Sequence, residues 1–297
     1  MKYVIFDGYA LAYRALYGYP ELTNDKGRDT RVTVGFLKIV TSMLMRNELT
    51  DHKVIFVFDS KEPVFRKQMD PNYKATRSKK EQSFYDQVEE LVILCSRMWT
   101  VYREPGFEAD DLAGTFVNQV LKEEDECLLI TVDKDWLQLL RPNVQALMLS
   151  TQGKTEQITD QKFFADNGGI MPINLIDLKA LMGDSSDNIP GVKGIGWVTA
   201  QKLIKQYGTV ESIYENILMI PNKGKVQSLL MENKDRVLLN KQLATIKCDV
   251  PLTAEVKPTT DANEFCAVLD YLEFELQAFD LANQMGVLLQ LLKEKEV

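Results

Sequence analysis

Short apolar runs, each ending in an aspartate, punctuate the first half of the chain. Tyr3 to Phe6, Val54 to Phe58 and Leu128 to Val132 are rich in β-branched and aromatic residues, as strands buried on both faces of a parallel sheet are. Around Val32 to Arg46, Ser83 to Met98 and Asp110 to Lys122 the apolar spacing becomes that of amphipathic helices. This alternation over residues 1–170 predicts an α/β domain: a mostly parallel sheet with flanking helices. From 171 to 297 strand runs stop, and short helical stretches broken at Gly, Asn and Pro predict a helical region. VKPTTDAN at 256–263 reads as a loop before a terminal helix, and the apolar QMGVLLQLL as a core or docking helix. No internal repeat is visible.

The acids at the ends of these runs belong to a larger set of nine in five clusters. They are Asp7, Asp59, Glu108 with Asp110 and Asp111, Asp133 with Asp135, and Asp184 with Asp187. In open α/β sheets the ligand crevice lies beyond the carboxyl ends of the strands, so acids distant in sequence are expected to meet there. One such Asp is as readily a turn or helix cap. Nine in this arrangement point instead to a metal site, because crowded carboxylates resist ionisation unless cations compensate them. A set made only of oxygen ligands suits Mg²⁺ or Mn²⁺, and the scarcity of thiolate and imidazole argues against zinc.

At 297 residues and 45% hydrophobic composition the chain can bury a sizeable core, in one large domain or two smaller ones. No segment approaches a membrane span, and MKYVIFDG runs into a strand without a signal-peptide cleavage region, so a cytoplasmic location is expected. Cys95, Cys127, Cys248 and Cys266 are scattered without CxxC spacing and read as buried free thiols. The net charge of −8 looks unsuited to nucleic acid, yet with the nine acids set aside the 35 basic residues outnumber the remaining acids by one.

Those bases are densest from Lys61 to Lys80, where Arg66, Lys67, Lys74, Arg77, Lys79 and Lys80 alternate with Phe65 and Tyr73. Following Asp59 directly, the stretch leaves the sheet at the acidic edge, and its cations and rings suit a channel that tracks a nucleic-acid backbone and stacks bases. A second signal is NIPGVKGIG. Gly191, Gly194 and Gly196 permit a tight turn beside Lys193, opening a helix that ends at Gly208. Such a turn offers backbone N–H groups to phosphate, and here it abuts the Asp184–Asp187 pair.

FDGYALAYRA, VTVGF, VFDSKEPVFR, YKATR, GFEADDLAG, TVDKDWLQLL and ALMGDSSDNIPGVKGIG, in this order from Tyr3 to about Leu252, resemble the 5′-nuclease family. That family includes the 5′ to 3′ exonuclease domain of bacterial DNA polymerase I, stand-alone bacterial and phage 5′-exonucleases and flap endonucleases. Beyond Leu252 the match is weak, chiefly LDYLEFE. The resemblance implies a PIN-like nuclease domain over 1–170 with a helical arch about 61–82, and a DNA-binding region over 171–297 with a helix-hairpin-helix about 184–208. It implies two or more Mg²⁺ ions, with Mn²⁺ substituting and K⁺ at the helix-hairpin-helix. Asp7, Asp59, Glu108 and Asp110 would surround the first metal, and Asp111, Asp133, Asp135, Asp184 and Asp187 the second. Lys74 and Arg77 would contact the scissile phosphate, Tyr73 would stack on a base, and Arg14 would reach phosphate near the same centre. Arg66, Lys67, Gly191, Lys193, Gly194 and Gly196 would bind DNA. The implied partner is DNA with a 5′ end or flap and adjoining duplex, RNA primer strands included, acted on by a monomer without a polymerase portion or membrane contact.

Three departures stand out. Trp197 and Val198 replace the Glu-Lys or Pro-Lys common after the glycine turn, SKKEQSF follows Arg77 without proline, and Asp29 in DTRVTVGF reads as an N-cap. Other functions fit less well. A PIN-type ribonuclease would lack GVKGIG and the arch, and a haloacid-dehalogenase phosphatase needs a second acid where Tyr9 stands. A Ser-His-Asp hydrolase is left with His52, the single histidine, in a polar loop. A DNA binder without catalysis gains nothing from nine carboxylates facing phosphate.

Overall fold

The computed structural model describes residues 1–150, 154–221, 225–253 and 262–294. In chain order the N-terminal region holds β1 (Lys2–Asp7), α1 (Gly8–Gly18), α2 (Arg31–Arg46), β2 (Lys53–Val57), α3 (Phe65–Met69), α4 (Gln82–Met98), β3 (Thr100–Tyr102), α5 (Ala109–Thr115), β4 (Glu126–Thr131), β5 (Val144–Leu149), β6 (Thr155–Ile158) and α6 (Asp160–Asp166). The C-terminal region holds α7 (Leu175–Met182), β7 (Gly183–Asp184), β8 (Ile189–Pro190), α8 (Trp197–Tyr207), α9 (Val210–Glu215), α10 (Val226–Glu232), α11 (Lys234–Ala244), α12 (Ala262–Asp270) and α13 (Phe279–Glu294).

The six-stranded sheet runs β3-β2-β1-β4-β5-β6, parallel throughout except for β6, which is antiparallel to β5. Its three central strands are the apolar runs noted above, and their continuous hydrophobic character follows from helices covering both faces. On one face Val4, Phe6 and Phe56 pack with α1, α2 and α4 around Phe36, Leu37 and Leu91. On the other, Ile5, Ile55 and Leu129 pack with α5 and, through Trp136 and Leu178, with the C-terminal region. The order places β1 between β2 and β4, so Asp7, Asp59 and Asp133 leave the same edge of three adjacent strands.

Several local expectations change. The helix expected over Asp110 to Lys122 is α-helical only to Thr115 and continues as a wider π turn over Phe116–Val120. The N-cap of α2 is Thr30, while Asp29 accepts from the Arg31 N–H at 3.0 Å. Where a helical arch is expected over 61–82, the structure has the five-residue α3 and then turns: Pro71 closes the helix, and Lys74 takes a left-handed φ of 53°. The loop expected at 256–263 lies outside the described residues up to 261. The apolar C-terminal run does form core. Leu281, Met285 and Leu288 of α13 are buried against the cluster built on α2, so the last helix returns to the N-terminal region. The four cysteines are free thiols; Cys95 and Cys127 are buried as expected, Cys248 is half-buried and Cys266 is exposed.

Candidate active site

Backbone caps fix the first acids. Asp7 is the N-cap of α1: one oxygen accepts from Ala10 N–H at 2.9 Å and the other from the Thr131 hydroxyl of β4 at 2.7 Å. Asp59 accepts from Ala109 N–H at 2.8 Å, which ties the end of β2 to the start of α5. Asp133 caps the 3-10 turn after β4 through Asp135 N–H at 2.9 Å. The caps thus fall on the same acids that the sequence marked as candidate metal ligands, because a strand end that leads straight into a helix supplies both the orphan N–H groups and the cleft.

These acids line one cleft of about 940 Å³ with Glu108, Asp110, Asp135 and Asp184. Two groups of acids are tight enough to hold an ion, Glu108 with Asp110 and Asp111, and Asp135 with Asp184 and Asp187, each with carboxylate oxygens within 4.8 Å of one another. Burial, reinforced by Asp59 and Asp133, pushes the Asp7 carboxyl up to about 7. Asp59 is raised by burial and by Glu108, and Asp110 well raised by burial and by Asp111.

Cations compensate part of this charge. Lys74 reaches Glu108 at 2.5 Å and Asp187 at 3.8 Å, and Arg77 reaches Asp187 at 2.8 Å. Burial would raise Glu108, but Lys74 and Arg66 outweigh it and hold the carboxyl below its usual range. A third cation was not expected from the sequence: Lys179 on α7 is buried and bonds both Asp135 and Asp184. Against burial, Lys179 and Ser186 hold Asp184 down at about 2. A lone lysine in the apolar run LIDLKALM was the available signal.

Four assignments need correction. Arg66 is 1% exposed and directs its guanidinium inward to Glu108 and Asp111, so it is not on a DNA-facing surface. Asp111, expected at the second metal, groups instead with Glu108 and Asp110; it is fully buried and off the cleft wall, its oxygens bonded by Arg66, Lys247 N–H and Glu108 N–H, the last completing a capping box on α5. Tyr73 is 2% exposed and donates between Glu108 at 3.1 Å and Asp187 at 3.2 Å, with its ring packed on Ile189 and Leu243, so no face is open to a base. Arg14 donates to Ser150 carbonyl at 2.5 Å and lines an adjoining pocket with Tyr13 and Tyr17 rather than the acidic cleft. Of the remaining basic candidates, Lys67 and Lys193 are exposed.

The glycine turn joins α7 to α8 through the two-stranded β7–β8 hairpin. Gly194 has φ +97°, and Gly196 is the N-cap of α8 with nothing within 4 Å of its would-be Cβ. Gly191 differs: its Cβ would lie 2.1 Å from the Met182 carbonyl carbon, so it is glycine because two backbones cross there.

The acids fit divalent metal ions on a direct observation. Asp110 Oδ1 is buried among carboxylates with no hydrogen-bond partner, an orphan acceptor of the kind a cation satisfies. Asp7, Asp59, Glu108, Asp110, Asp133, Asp135 and Asp184 share one cleft, and within and beside it Glu108, Asp110 and Asp111 form one close group and Asp135, Asp184 and Asp187 the other.

Two family models match the chain: the 5′-3′ exonuclease N-terminal resolvase-like domain over residues 2–168, and the 5′-3′ exonuclease C-terminal SAM fold over residues 170–264. DNA polymerase I of Caldicellulosiruptor bescii is 37% identical over 262 residues, 86% of this chain and 30% of that protein. This chain therefore spans under a third of that polymerase's length. The 5′-3′ exonuclease of Buchnera aphidicola is 33% identical over 260 residues, 86% of this chain and 89% of the other. The solved structure of the bacteriophage T5 flap endonuclease with DNA and metal ions shares the fold at a TM-score of 0.68 and 22% identity, over 99% of this chain and 100% of that one. By both family models and by a relative matched over most of its length, this chain belongs to the 5′-3′ exonuclease family.

Proposed function

We propose that the cleft hydrolyses phosphodiester bonds of DNA carrying a 5′ end or 5′ flap, using two divalent ions held by its carboxylates. The observation that carries this is the convergence of Asp7, Asp59, Glu108, Asp110, Asp133, Asp135 and Asp184 on one cleft shared with Lys74, Arg77 and Lys179. When bound, such ions generate a hydroxide nucleophile at neutral pH and stabilise the leaving oxygen of an in-line displacement. Lys74 and Arg77 stand at the rim of that cleft, where cations released from Glu108 and Asp187 offset charge growing on the phosphate oxygens. Residues 1–170 carry most of the chemistry, completed by Asp184 and Lys179 from 171–297, and the rest of 171–297 grips duplex, with Lys193 and the N–H groups of the turn at Gly194 and Gly196 as the phosphate-binding edge. Mg²⁺ is the assigned ion, with Mn²⁺ substituting and K⁺ at the glycine turn, and the assigned setting is a cytoplasmic monomer that also accepts RNA primer strands. Among the described residues, no helix is long and apolar enough to cross a membrane.

The test is product mapping on a 5′-flap, a nicked duplex and a blunt duplex with Mg²⁺. The wild type is expected to cut at the flap junction and to release nucleotides from the nick. Asp133→Ala should bind DNA and not cut it. Wild-type turnover by Asp133→Ala at saturating DNA removes the carboxylates from the reaction.

A further inference from the structure

Trp197 is the first residue of α8. The chain has three tryptophans; Trp99 and Trp136 are 4% and 1% exposed, whereas Trp197 is 39% exposed. Its indole makes no ring contact or hydrogen bond to any described residue. Trp197 also lines two cavities at once: the acidic cleft, and a groove of about 730 Å³ that shares Met182, Asp184 and Ser185 with it. Beyond that shared wall the groove is bordered by Asn72, Asn188 and Arg236. A strand leaving the cleft past Asp184 therefore meets an open aromatic face, with amides and a guanidinium on the far side.

We propose that Trp197 stacks on an unpaired nucleobase of the substrate strand as the strand passes from the carboxylate cleft into this groove. The inference rests on the reading of the cleft as a DNA-cleaving site. A large exposed ring beside a strand path serves as a sequence-tolerant platform because every base has a π-face. Trp197 sits at the edge of the acids and ligates nothing, so it holds the strand by stacking, without a charge contact.

The test uses intrinsic fluorescence, since Trp197 is the exposed one of the three indoles. The wild type, Trp197→Phe and Trp197→Ala are titrated with a labelled 5′-flap, a short oligo-dT and a blunt duplex, with Ca²⁺ in place of Mg²⁺; label anisotropy reports binding independently. Flap and oligo-dT should quench the wild-type emission, and blunt duplex should quench it far less. Trp197→Phe should lose the quench while binding nearly as the wild type does, and Trp197→Ala should bind flap roughly 10- to 100-fold more weakly. Saturated anisotropy without quenching, or wild-type affinity in Trp197→Ala, overturns the stack. Equal quenching by blunt duplex overturns its assignment to an unpaired base. Cleavage in Mg²⁺, measured on the same flap, separates the two readings: quenching without cleavage refutes the nuclease and not the stack, and cleavage without quenching refutes the stack alone.

Discussion

Arg66 spends all five of its N–H donors inside the protein: on Glu108, twice on Asp111, and on the Leu243 and Thr245 carbonyls. Removing one partner of a buried pair leaves the other charge uncompensated, so Arg66→Ala should lower the stability of the protein by about 3–5 kcal/mol in urea unfolding. A variant that keeps wild-type stability but binds DNA poorly would return Arg66 to the DNA surface. Lys74 is the contrasting cation. It is half-buried at the cleft mouth, and although burial works against its charge, Glu108 keeps its pKa well above the ordinary lysine value, so it is fully protonated at neutral pH. A cation that meets charge growing in the transition state affects rate more than binding, so Lys74→Ala should slow single-turnover cleavage on the order of 10²-fold with a much smaller change in Kd. Parallel losses in both would make Lys74 a phosphate anchor.

The element that aims Asp184 is the crossing between the end of α7 and β8. Gly183 takes φ +79°, and its would-be Cβ lies 2.3 Å from Gly191 N; Gly191 in turn admits no Cβ against Met182. Gly191→Ala must therefore push the crossing backbones apart and should cost at least about 2 kcal/mol, the upper range for an overpacked site, while impairing cleavage through Asp184. Gly196→Ala, three residues past Lys193, meets open space and should stay within about 1 kcal/mol, the usual cost at an N-cap. Paired thermal melts check both, and equal losses would remove the distinction between a packing glycine and a turn glycine. Packing against β8 and α11 also shows why α3 and the following turns do not form the expected helical arch. Asp70 bonds Arg236 of α11 at 2.8 Å and Tyr73 is sunk between β8 and α11, so this stretch is folded down onto the C-terminal region.

At the scale of the whole molecule, the carboxylate cleft is a store of repulsion balanced by cations. Asp7 has its folded pKa raised from 3.8 to about 7. Its contribution to stability is thus fully present below the unfolded value and is lost as pH rises through about 7. In EDTA at pH 8 the Asp7→Asn protein should be the more stable, by up to roughly 4 kcal/mol for a shift of this size, and the gain should shrink by pH 5, where Asp7 holds its proton in the folded state. Mg²⁺ should raise the wild-type Tm more than that of the variant, because a bound ion replaces the missing compensation. A wild type whose Tm is indifferent to Mg²⁺ at pH 8, equal to that of Asp7→Asn in EDTA, would show that the acids are not strained against one another.

Periodicity and local chemistry alone determined the three central strands, the helices over Val32 to Arg46 and Ser83 to Met98, and the convergence of Asp7, Asp59 and Asp133. The reason is that a parallel strand needs a continuous apolar run, and its end opens on the crevice. The turn over Gly191 to Gly196 was legible too, although only Gly194, at φ +97°, answers a local backbone constraint, while Gly191 answers its crossing with Met182. What only the tertiary structure decided was the direction in which each charge points. Adjacent residues on α5 diverge, with Asp110 turned to the cleft and Asp111 to Arg66, and neighbours in the basic stretch diverge likewise, with Lys67 in solvent and Arg66 in the core. The same holds for Lys179, which sits five residues before Asp184 in sequence and against Asp135 across the cleft. Charge type and spacing announce that a site exists, but the partner of each charge is set by long-range packing between the sheet and the C-terminal helices, which no local pattern encodes.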